Sequence, residues 1–290
     1  MAKLVRMTGT GRLGVMIDRD TAPEQLVPTA QGLEAMLVDE VWVVEDLGWG
    51  GGVASAATVL ATTQRVRVGI GIMPAPLRNP ALAAMELATL ARLHPGRLVA
   101  GIGHGVQDWM RQVGAAVPSP LALLEDTFAI VRGLLFGERV VHHGRARSAH
   151  GVALVHPAGA PVPLLAGVTG PRSLELAGRI ADGVVLAEGA GPAQIAEARA
   201  LAGDSAYSVT VLCHLFASDD AAEAAAVRLT VAREFFGDET REFTMASGSA
   251  GEAAEVVRAL WAAGADSVVL RPVGEPLAQT ALVVAALGAR

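Results

Sequence analysis

Hydrophobic residues in this chain fall into short continuous runs, separated by longer segments in which they recur at helical spacing. A continuous apolar run of roughly four to eight residues is typical of a strand buried on both faces, as in a parallel sheet. Eight runs predict strands at Leu13–Ile17, Glu40–Val44, Val66–Ile72, Leu98–Ile102, Val162–Gly167, Gly183–Ala187, Ser208–Phe216 and Ser267–Leu270. The intervening segments predict helices, so the pattern indicates repeated strand–helix units.

Several helix ends can be placed from capping residues. Asn79 is a favoured N-cap and Pro80 suits the first helical position, which predicts a helix through ALAAMELATLARL. Ser249 and Glu252 have the spacing of a capping box, and Gly264 is suited to end the helix that follows. Two further helices are predicted over Leu123–Phe136 and Pro192–Leu201.

The number of units indicates the fold class. Eight strand–helix units within 290 residues predict an α/β protein, a single (β/α)8 TIM barrel domain spanning residues 1–290. A doubly wound sheet is the alternative. Two segments are longer than a simple unit needs. They predict an extension at about 137–160 and two extra helices at about 219–247.

The charge and composition of the chain indicate what kind of partner it binds. The net charge is −6 and Lys3 is the only lysine, so the basic face of a nucleic-acid binder is not expected. Cys213 is the only cysteine and lies in an apolar run, which favours a buried, unreactive thiol. The N-terminus lacks the apolar core of a signal peptide, and no stretch has the pattern of a membrane-spanning helix. We expect a cytoplasmic protein that acts on a small molecule.

The turn in GVTGPRS is the first candidate site. Thr169 or Gly170 can cap a helix that starts at Pro171, and its free backbone N–H groups favour an anion. Arg172 in the first turn opposes the helix dipole, but a bound phosphate would reverse that penalty, and Ser173 offers another donor. The alternative is a plain tight turn with a solvated arginine. We favour the anion site because late barrel strands often end at phosphate sites.

Two glycine-rich strand ends are further candidates. Gly69 and Gly71 indicate either the close approach of something flat, a strained backbone, or relief of crowding inside the barrel. The motif GIGHG at Gly101–Gly105 is not a dinucleotide fingerprint, because its sixth position is Val106. Its His104 follows the fourth strand, on the face where barrel enzymes hold their active sites.

A pair of carboxylates follows the second strand on the same face. Glu45 and Asp46 could have different pKa values and so act as general acid and base. Alternatively, one of them could cap the glycine-rich loop that follows. Trp49 in that loop is placed to wall a pocket. His142 and His143 lack an accompanying cluster of carboxylates or cysteines, so no metal site is predicted.

The chain resembles the luciferase-like flavin and deazaflavin oxidoreductases, most specifically in three stretches. These are RVRVGIGIMPAPLRNPALAAMELATLARLHPGRLVAGIGHG, PVPLLAGVTGPRSLELAGRIADGVVL and MASGSAGEAAEVVRALWAAGADSVVL. The resemblance covers almost the whole chain. It implies a TIM barrel of the bacterial luciferase-like type with a cofactor at the carboxyl ends of its strands.

The resemblance also implies a cofactor site. In the deazaflavin branch a non-prolyl cis peptide backs the ring, and that position falls on Gly71–Ile72. The family's phosphate-holding turn falls on 169–171, and the loop after the sixth strand on 187–189. The cofactor-binding residues so predicted are Gly71, Ile72, Gly103, His104, Gly105, Thr169, Gly170, Pro171, Arg172, Ala187, Glu188 and Gly189. Glu188 fits a phosphate-side loop only if its side chain turns away.

The resemblance has departures as well. Sugar-phosphate dehydrogenases of this family carry an aspartate–histidine pair where this chain has Glu45 and Asp46, and their acidic residue after the fourth strand falls at Val106. We therefore do not expect a sugar-phosphate substrate.

These observations together predict a deazaflavin-dependent oxidoreductase. It would transfer hydride between reduced 8-hydroxy-5-deazaflavin (coenzyme F420) and an imine, activated alkene or carbonyl/alcohol substrate. Asp46 or Glu45 is the predicted general acid or base, with His104 lining the site. The alternatives are an FMN-dependent luciferase-like monooxygenase and a ligand-binding barrel without turnover. A homodimer is expected because barrels of this family often pair.

Overall fold

The computed structural model of the chain describes residues 11–202 and 206–288. The N-terminal stretch used to predict the absence of a signal peptide begins outside these residues. The strands are β1 (Arg12–Ile17), β2 (Glu40–Val43), β3 (Arg67–Pro74), β4 (Leu98–Gly103), β5 (Val140–His143), β6 (Ser148–Val152), β7 (Leu164–Gly167), β8 (Gly183–Leu186), β9 (Ser208–Ala217), β10 (Ala246–Gly248) and β11 (Ser267–Pro272).

Eight of these strands form a closed parallel barrel in the order β1-β2-β3-β4-β7-β8-β9-β11, with β11 pairing back onto β1. Each one overlaps a strand predicted from an apolar run, so the predicted (β/α)8 barrel is confirmed and the doubly wound alternative is wrong. A closed ring buries both faces of every strand, which explains why the runs are continuous rather than alternating.

Helices follow the strands and cover the outside of the ring. They are α1 (Leu26–Ala35), α2 (Gly52–Thr62), α3 (Pro80–Leu93), α4 (Gln107–Gln112), α5 (Pro120–Leu135), α6 (Pro171–Ile180), α7 (Pro192–Ala202), α8 (Ala221–Glu234), α9 (Ala250–Ala262) and α10 (Pro276–Leu287). The predicted caps are present, because Asn79 accepts a hydrogen bond from the Ala81 amide and Ser249 and Glu252 form a capping box. Among the described residues, no helix combines the length and apolar character needed to cross a membrane.

The centre of the barrel is filled by one apolar layer. Its members are Met16, Trp42, Val99, Leu165, Val185, Leu212 and Val269. Trp42 is fully buried, and a Cβ at Gly69 would lie 2.2 Å from its ring, while one at Gly71 would lie 2.8 Å from it. The flat group that approaches these glycines is therefore the indole of Trp42, so relief of crowding explains both of them.

The amino-terminal end of the barrel is closed by a buried ion-pair network. The Glu40 carboxylate is 2% exposed and accepts hydrogen bonds from Arg12 and Arg67, each at 2.7 Å. The Trp42 indole N–H and the Ser267 hydroxyl also donate to it. Burial alone would raise the pKa of Glu40, but the two arginines outweigh this and lower it. Glu40 thus ties its own strand, β2, to β1, β3 and β11 at this end.

The two long segments differ in how well the sequence predicted them. The extension over 137–160 contains the antiparallel hairpin β5–β6. The prediction of two helices over 219–247 is wrong, because α8 is followed by a loop and by β10. Gly237 adopts φ +69° and Asp238 caps a turn through Thr240, so the chain leaves the helix there. β10 then pairs with residues 215–217 of β9, beyond the part of β9 that β8 covers.

Candidate active site

A polar layer lies above the central apolar layer, at the carboxyl ends of the strands. Side chains two residues apart on a strand share a face, so Asp18, His214 and Arg271 follow Met16, Leu212 and Val269 on the interior side. The structure brings the charged pair together, since Arg271 donates to Asp18 at 2.5 Å. Barrel active sites are built at this end of the strands.

Arg271 is the centre of this layer. Its side chain is 11% exposed and its second ion pair, at 2.9 Å, is with Glu188, which is 8% exposed. The Glu188 side chain therefore turns away from its own loop toward β11, as a phosphate-side role for that loop requires. Burial alone would raise the pKa of Asp18, but Arg271 lowers it overall.

His214 is the buried histidine of this layer. It is 3% exposed, its ring packs edge-on against Phe235, and its Nδ1 has no hydrogen-bond partner. Burial, reinforced by the positive charge of Arg271, lowers its pKa to about 4. The imidazole is consequently neutral at pH 7, with one nitrogen free to accept or donate a hydrogen bond.

The two carboxylates after β2 have different surroundings. Glu45 alternates with the inward-facing Val44, lies against Gly52 of α2, and is ion-paired with Arg78. Asp46 is 28% exposed, and one of its oxygens accepts a 2.8 Å hydrogen bond from Arg19. Glu45 is therefore packed between elements of the wall, whereas Asp46 is the more accessible of the pair.

A cavity of about 440 Å³ opens beside Asp18, between the ends of β1 and β2. We call it the β1–β2 cavity. Trp49 lines it and donates its indole N–H to Asp20. The Arg19 guanidinium lies 4.4 Å from the centre of the Trp49 ring, and the centres of the Trp49 and Trp109 rings are 6.1 Å apart. The predicted role of Trp49 in walling a pocket agrees with this arrangement, and the volume suits a small organic molecule.

His104 and the turn after β7 meet on the other side of the barrel mouth. The His104 Nε2 lies 3.3 Å from the Ser173 hydroxyl in the first turn of α6. Burial lowers the pKa of His104, and its buried Nδ1 has no hydrogen-bond partner of normal geometry. The fourth and fifth barrel strands thus present a neutral histidine and a serine at one place.

The turn at 169–171 ends at a helix without a side-chain cap. Gly170 is the N-cap of α6 and Pro171 its first residue, as predicted, and a Cβ at Gly170 would meet nothing within 4 Å. Thr169 and Arg172 are exposed. The Arg172 side chain lines an outer groove between α5 and α6 together with Arg145. An uncapped helix start beside open space suits an anion.

Ile72 covers the ends of three neighbouring strands. Cβ atoms placed on Gly101, Gly103 or Gly167 would come within 3 Å of the Ile72 side chain. The peptide bond between Gly71 and Ile72 is cis, at the position that the resemblance implies. Gly101 and Gly103 of GIGHG therefore make room for Ile72 at the barrel mouth, whereas a Cβ at Gly105 would meet Pro74 and Met110.

The model of the luciferase-like monooxygenase family matches residues 7–285. The chain belongs to this family.

Two kinds of curated enzyme are among the proteins similar in sequence to this luciferase-like barrel. The 5,10-methylenetetrahydromethanopterin reductase of Methanolobus tindarius is 34% identical over 149 residues, which are 51% of this chain and 45% of the relative. The F420-dependent glucose-6-phosphate dehydrogenase of Beutenbergia cavernae is 33% identical over 184 residues, 59% of this chain and 54% of the relative. The chain spans about half the length of these curated relatives.

Solved structures support the family fold over nearly the whole chain. An F420-dependent secondary alcohol dehydrogenase in complex with an F420-acetone adduct superposes with a TM-score of 0.84 at 20% identity, covering 97% of this chain and all of that one. The coenzyme F420 dependent tetrahydromethanopterin reductase from Methanopyrus kandleri gives a TM-score of 0.79 at 18% identity, covering 96% and 98%. These likenesses confirm the luciferase-like TIM barrel.

The structure brings most of the predicted site residues of this luciferase-like barrel to one end, but they form two groups. One group surrounds His104 and the turn at 169–171, and the other surrounds Asp46 and the β1–β2 cavity. The remaining predicted positions lie at the same end: Gly105 has φ +67°, Ala187 is exposed and Gly189 has φ +89°. No cluster of three or more metal-ligating side chains occurs in the part of the chain that the structure describes.

Sequence reasoning missed the polar layer of Asp18, His214 and Arg271. The missing information was which face of each strand points inward, since a continuous apolar run does not reveal it. A usable signal existed in the last strand, where SVVLR ends in an arginine two residues after a buried valine. The same spacing relates His214 to Leu212 in β9.

Proposed function

We propose that the protein is a deazaflavin-dependent oxidoreductase that transfers hydride between reduced coenzyme F420 and an imine, activated alkene or carbonyl/alcohol substrate. The observation that carries the proposal is the set of buried polar atoms without partners at the carboxyl end of this luciferase-like barrel, among them the Nδ1 atoms of His104 and His214. Native proteins leave few buried polar groups unpaired, so such a set favours a polar ligand there. The name of the F420-dependent relative from Beutenbergia cavernae supports the deazaflavin over FMN.

The residues around the turn at 169–171 fit the phosphate of such a cofactor. The uncapped start of α6 offers backbone N–H groups beside open space at Gly170, and Ser173 adds a hydroxyl within reach of His104. Ile72 would back the cofactor ring and His104 would line it. Arg172 would add positive charge near the phosphate. When bound, the cofactor supplies the hydride chemistry.

The chain's own residues would orient the substrate and handle the proton. Asp46 is the proposed general acid or base, because Arg19 holds its Oδ2 and leaves Oδ1 to exchange a proton with substrate. Glu45, held by Arg78 in the wall, would support this loop rather than touch substrate. The β1–β2 cavity would receive the substrate, with Trp49 limiting access of water to it.

Binding experiments test the proposal directly. The protein is titrated separately with coenzyme F420 and with FMN, and tryptophan emission is followed. We expect saturable binding of the deazaflavin, and Arg172→Ala should weaken it while Arg233→Ala, an exposed arginine on α8, should not. An unchanged dissociation constant for Arg172→Ala would contradict its role at the phosphate, and silence with both cofactors would favour a ligand-binding barrel.

An FMN-dependent monooxygenase is the second candidate. The description of the matching family and a solved monooxygenase from Streptomyces bottropensis, with a TM-score of 0.79 at 19% identity, favour it. Tighter binding of FMN, together with oxygen uptake by the reduced FMN complex and a candidate substrate, would replace the deazaflavin proposal with this one.

The setting of the enzyme completes the proposal. We propose a single-domain protein that acts in the cytoplasm as a homodimer and does not bind nucleic acid. The formal net charge of −6 supports the last point. Light scattering coupled to size-exclusion chromatography tests the dimer, since a mass near 29.7 kDa would show a monomer.

A further inference from the structure

The β1–β2 cavity carries a more specific inference about the substrate. We infer that it binds an organic cation and that the substrate reduced here is an iminium ion, in which a C=N bond already carries a positive charge. The inference rests on the proposed function, which supplies the hydride. It is argued from the charges, the aromatic walls and the protonation of the histidines.

The charge around the cavity is negative. The lining carboxylates are Asp18 and Asp20, and their network adds Asp46 through Arg19 and Glu188 through Arg271. Four carboxylates thus surround two guanidinium groups, which gives a net charge of −2. In a cavity partly shielded from water, this unbalanced negative charge attracts a cation more strongly than it would in bulk water.

The walls of the cavity also favour a cation. The electron-rich face of an indole attracts ammonium and guanidinium groups, most strongly for tryptophan. Trp49 already holds the Arg19 guanidinium at 4.4 Å on its ring, and Trp109 adds a second indole nearby. The Trp49 indole N–H is occupied by Asp20, so the ring is fixed in place. The Trp49 ring thus already takes a cation, and a flat organic cation entering the cavity would compete with the Arg19 guanidinium for this ring among the surrounding carboxylates.

The two buried histidines at this end of the barrel are neutral acceptors or donors rather than positive groups. His214 is only 3% exposed and lies close enough to Asp18 to interact with its charge. Its Nδ1 has no hydrogen-bond partner. Its pKa is about 4, and burial also lowers the pKa of His104, so neither imidazole carries a proton to donate as a cation at pH 7. Neither histidine therefore repels a positive substrate.

The chemistry of an iminium matches this shortage of acids. Hydride from the reduced deazaflavin forms a C–H bond at the iminium carbon, and the C=N π pair moves onto nitrogen. As this bond forms, the C–H bond of the reduced cofactor would break, and the substrate would gain two electrons and become a neutral amine. The cofactor would lose two electrons and one ring proton, which Asp46 would accept as general base through the oxygen that Arg19 does not hold. No protein group has to give a proton, whereas reduction of a neutral ketone requires one at oxygen.

Calorimetric titration of the 290-residue protein without cofactor tests the inference. The probes are the N-methyl-3,4-dihydroisoquinolinium ion and 1-tetralone, a neutral molecule of similar shape. We expect the cation to bind at least tenfold more tightly. Asp20→Asn keeps an acceptor for the Trp49 indole but removes one charge, and it should weaken cation binding about fivefold without changing binding of 1-tetralone. Glu255→Gln on α9, an exposed carboxylate far along the chain, should change neither.

A second variant tests the same cation site independently if Asp20→Asn perturbs the loop. Trp49→Leu removes the aromatic face and should weaken cation binding by at least fivefold. Equal affinity for the two probes, or unchanged cation binding in both variants, would overturn the inference. Cation binding without any binding of coenzyme F420 would uphold the cation site and refute the proposed function. Turnover of neutral ketones with F420 but no preference for the cation would refute this inference alone.

Discussion

Replacing Arg271 with methionine is the most informative perturbation of the polar layer. Arg271 is 11% exposed and is ion-paired with Asp18 and with Glu188, which is 8% exposed. Removing one partner of a buried ion pair costs about 3–5 kcal/mol, because the remaining charge stays buried without compensation. Asp18 is 27% exposed and therefore partly screened by water, so we expect the lower value, about 3 kcal/mol.

The loss in free energy of unfolding can be expressed as a decrease in the melting temperature, Tm. The unfolding entropy is roughly 2.1 cal/mol/K per residue near 60 °C, which gives about 0.6 kcal/mol/K for a chain of 290 residues. A loss of about 3 kcal/mol should therefore lower Tm by about 5 °C. Arg271→Lys retains the charge but not the two-sided guanidinium geometry, and we expect it to recover part of the difference.

The pH dependence supplies a signature that a packing defect would lack. The pKa of Asp18 is lowered in the folded protein: burial raises it, but the charge and hydrogen bond of Arg271 prevail. A lowered folded pKa contributes stability that is present above the unfolded pKa and is lost as pH falls through the folded pKa. Arg271→Met removes this contribution. Because the ordinary pKa of an aspartate is 3.8, the difference in Tm between wild type and variant should stay at its full size from pH 8 to about 5 and shrink as the pH falls below about 4.

Thermal unfolding followed by circular dichroism at several pH values measures both effects. A double variant, Arg271→Met with Glu188→Gln, should be more stable than Arg271→Met alone, because it removes the uncompensated carboxylate. A loss in Tm under about 1 °C at pH 7, or a difference that stays constant as the pH falls from about 7 to about 2, would refute the ion-pair account of this layer.

Three further predictions follow from single contacts. Gly69→Ala should lower the free energy of unfolding by about 1–3 kcal/mol or more, measured in urea, because its Cβ would overlap the fixed ring of Trp42. Glu40→Gln should cost about 3 kcal/mol at pH 7 and less in acid, where the stability from its lowered pKa is already lost; equal losses at both pH values would contradict the network. Asp46→Asn should reduce kcat by at least tenfold while changing the dissociation constant of coenzyme F420 less than twofold, and unchanged turnover would remove Asp46 from the chemistry.

The sequence predicted the barrel well because its signals are local. The helix cap at Asn79 and the capping box at Ser249 depend on residues within one turn, and both are present. Each barrel strand corresponds to an apolar run in the sequence, because burial on both faces requires consecutive residues to be apolar. The extra helix predicted within 219–247 failed for the complementary reason. Pairing of β10 with β9 is a long-range contact, which helical composition in the segment does not show.

The candidate site was predicted only in part, because its chemistry depends on which residues face each other across the ring. Glu45 and Asp46 look alike in the sequence, yet Glu45 turns toward α2 and Arg78 while Asp46 meets Arg19. The partnership of Asp18 with Arg271 joins the first strand to the last one. Closure of the ring creates that pair, and no spacing along the chain encodes it.

The two ends of the barrel show what distinguishes a structural network from a binding site. At the amino-terminal end, Glu40 receives four donors and none of its polar atoms lacks a partner. At the carboxyl end, buried atoms of Arg19, Glu45, His104 and His214 have none, and the described residues contribute only two others, Thr127 and Thr280 on helices. An unpaired buried polar group costs about 1–3 kcal/mol, so four of them at one end are a substantial cost to a structure with nothing bound. A polar ligand at the barrel mouth would offset that cost, and this is why we propose the chemistry at that end rather than at the opposite end, where the Glu40 network is fully paired.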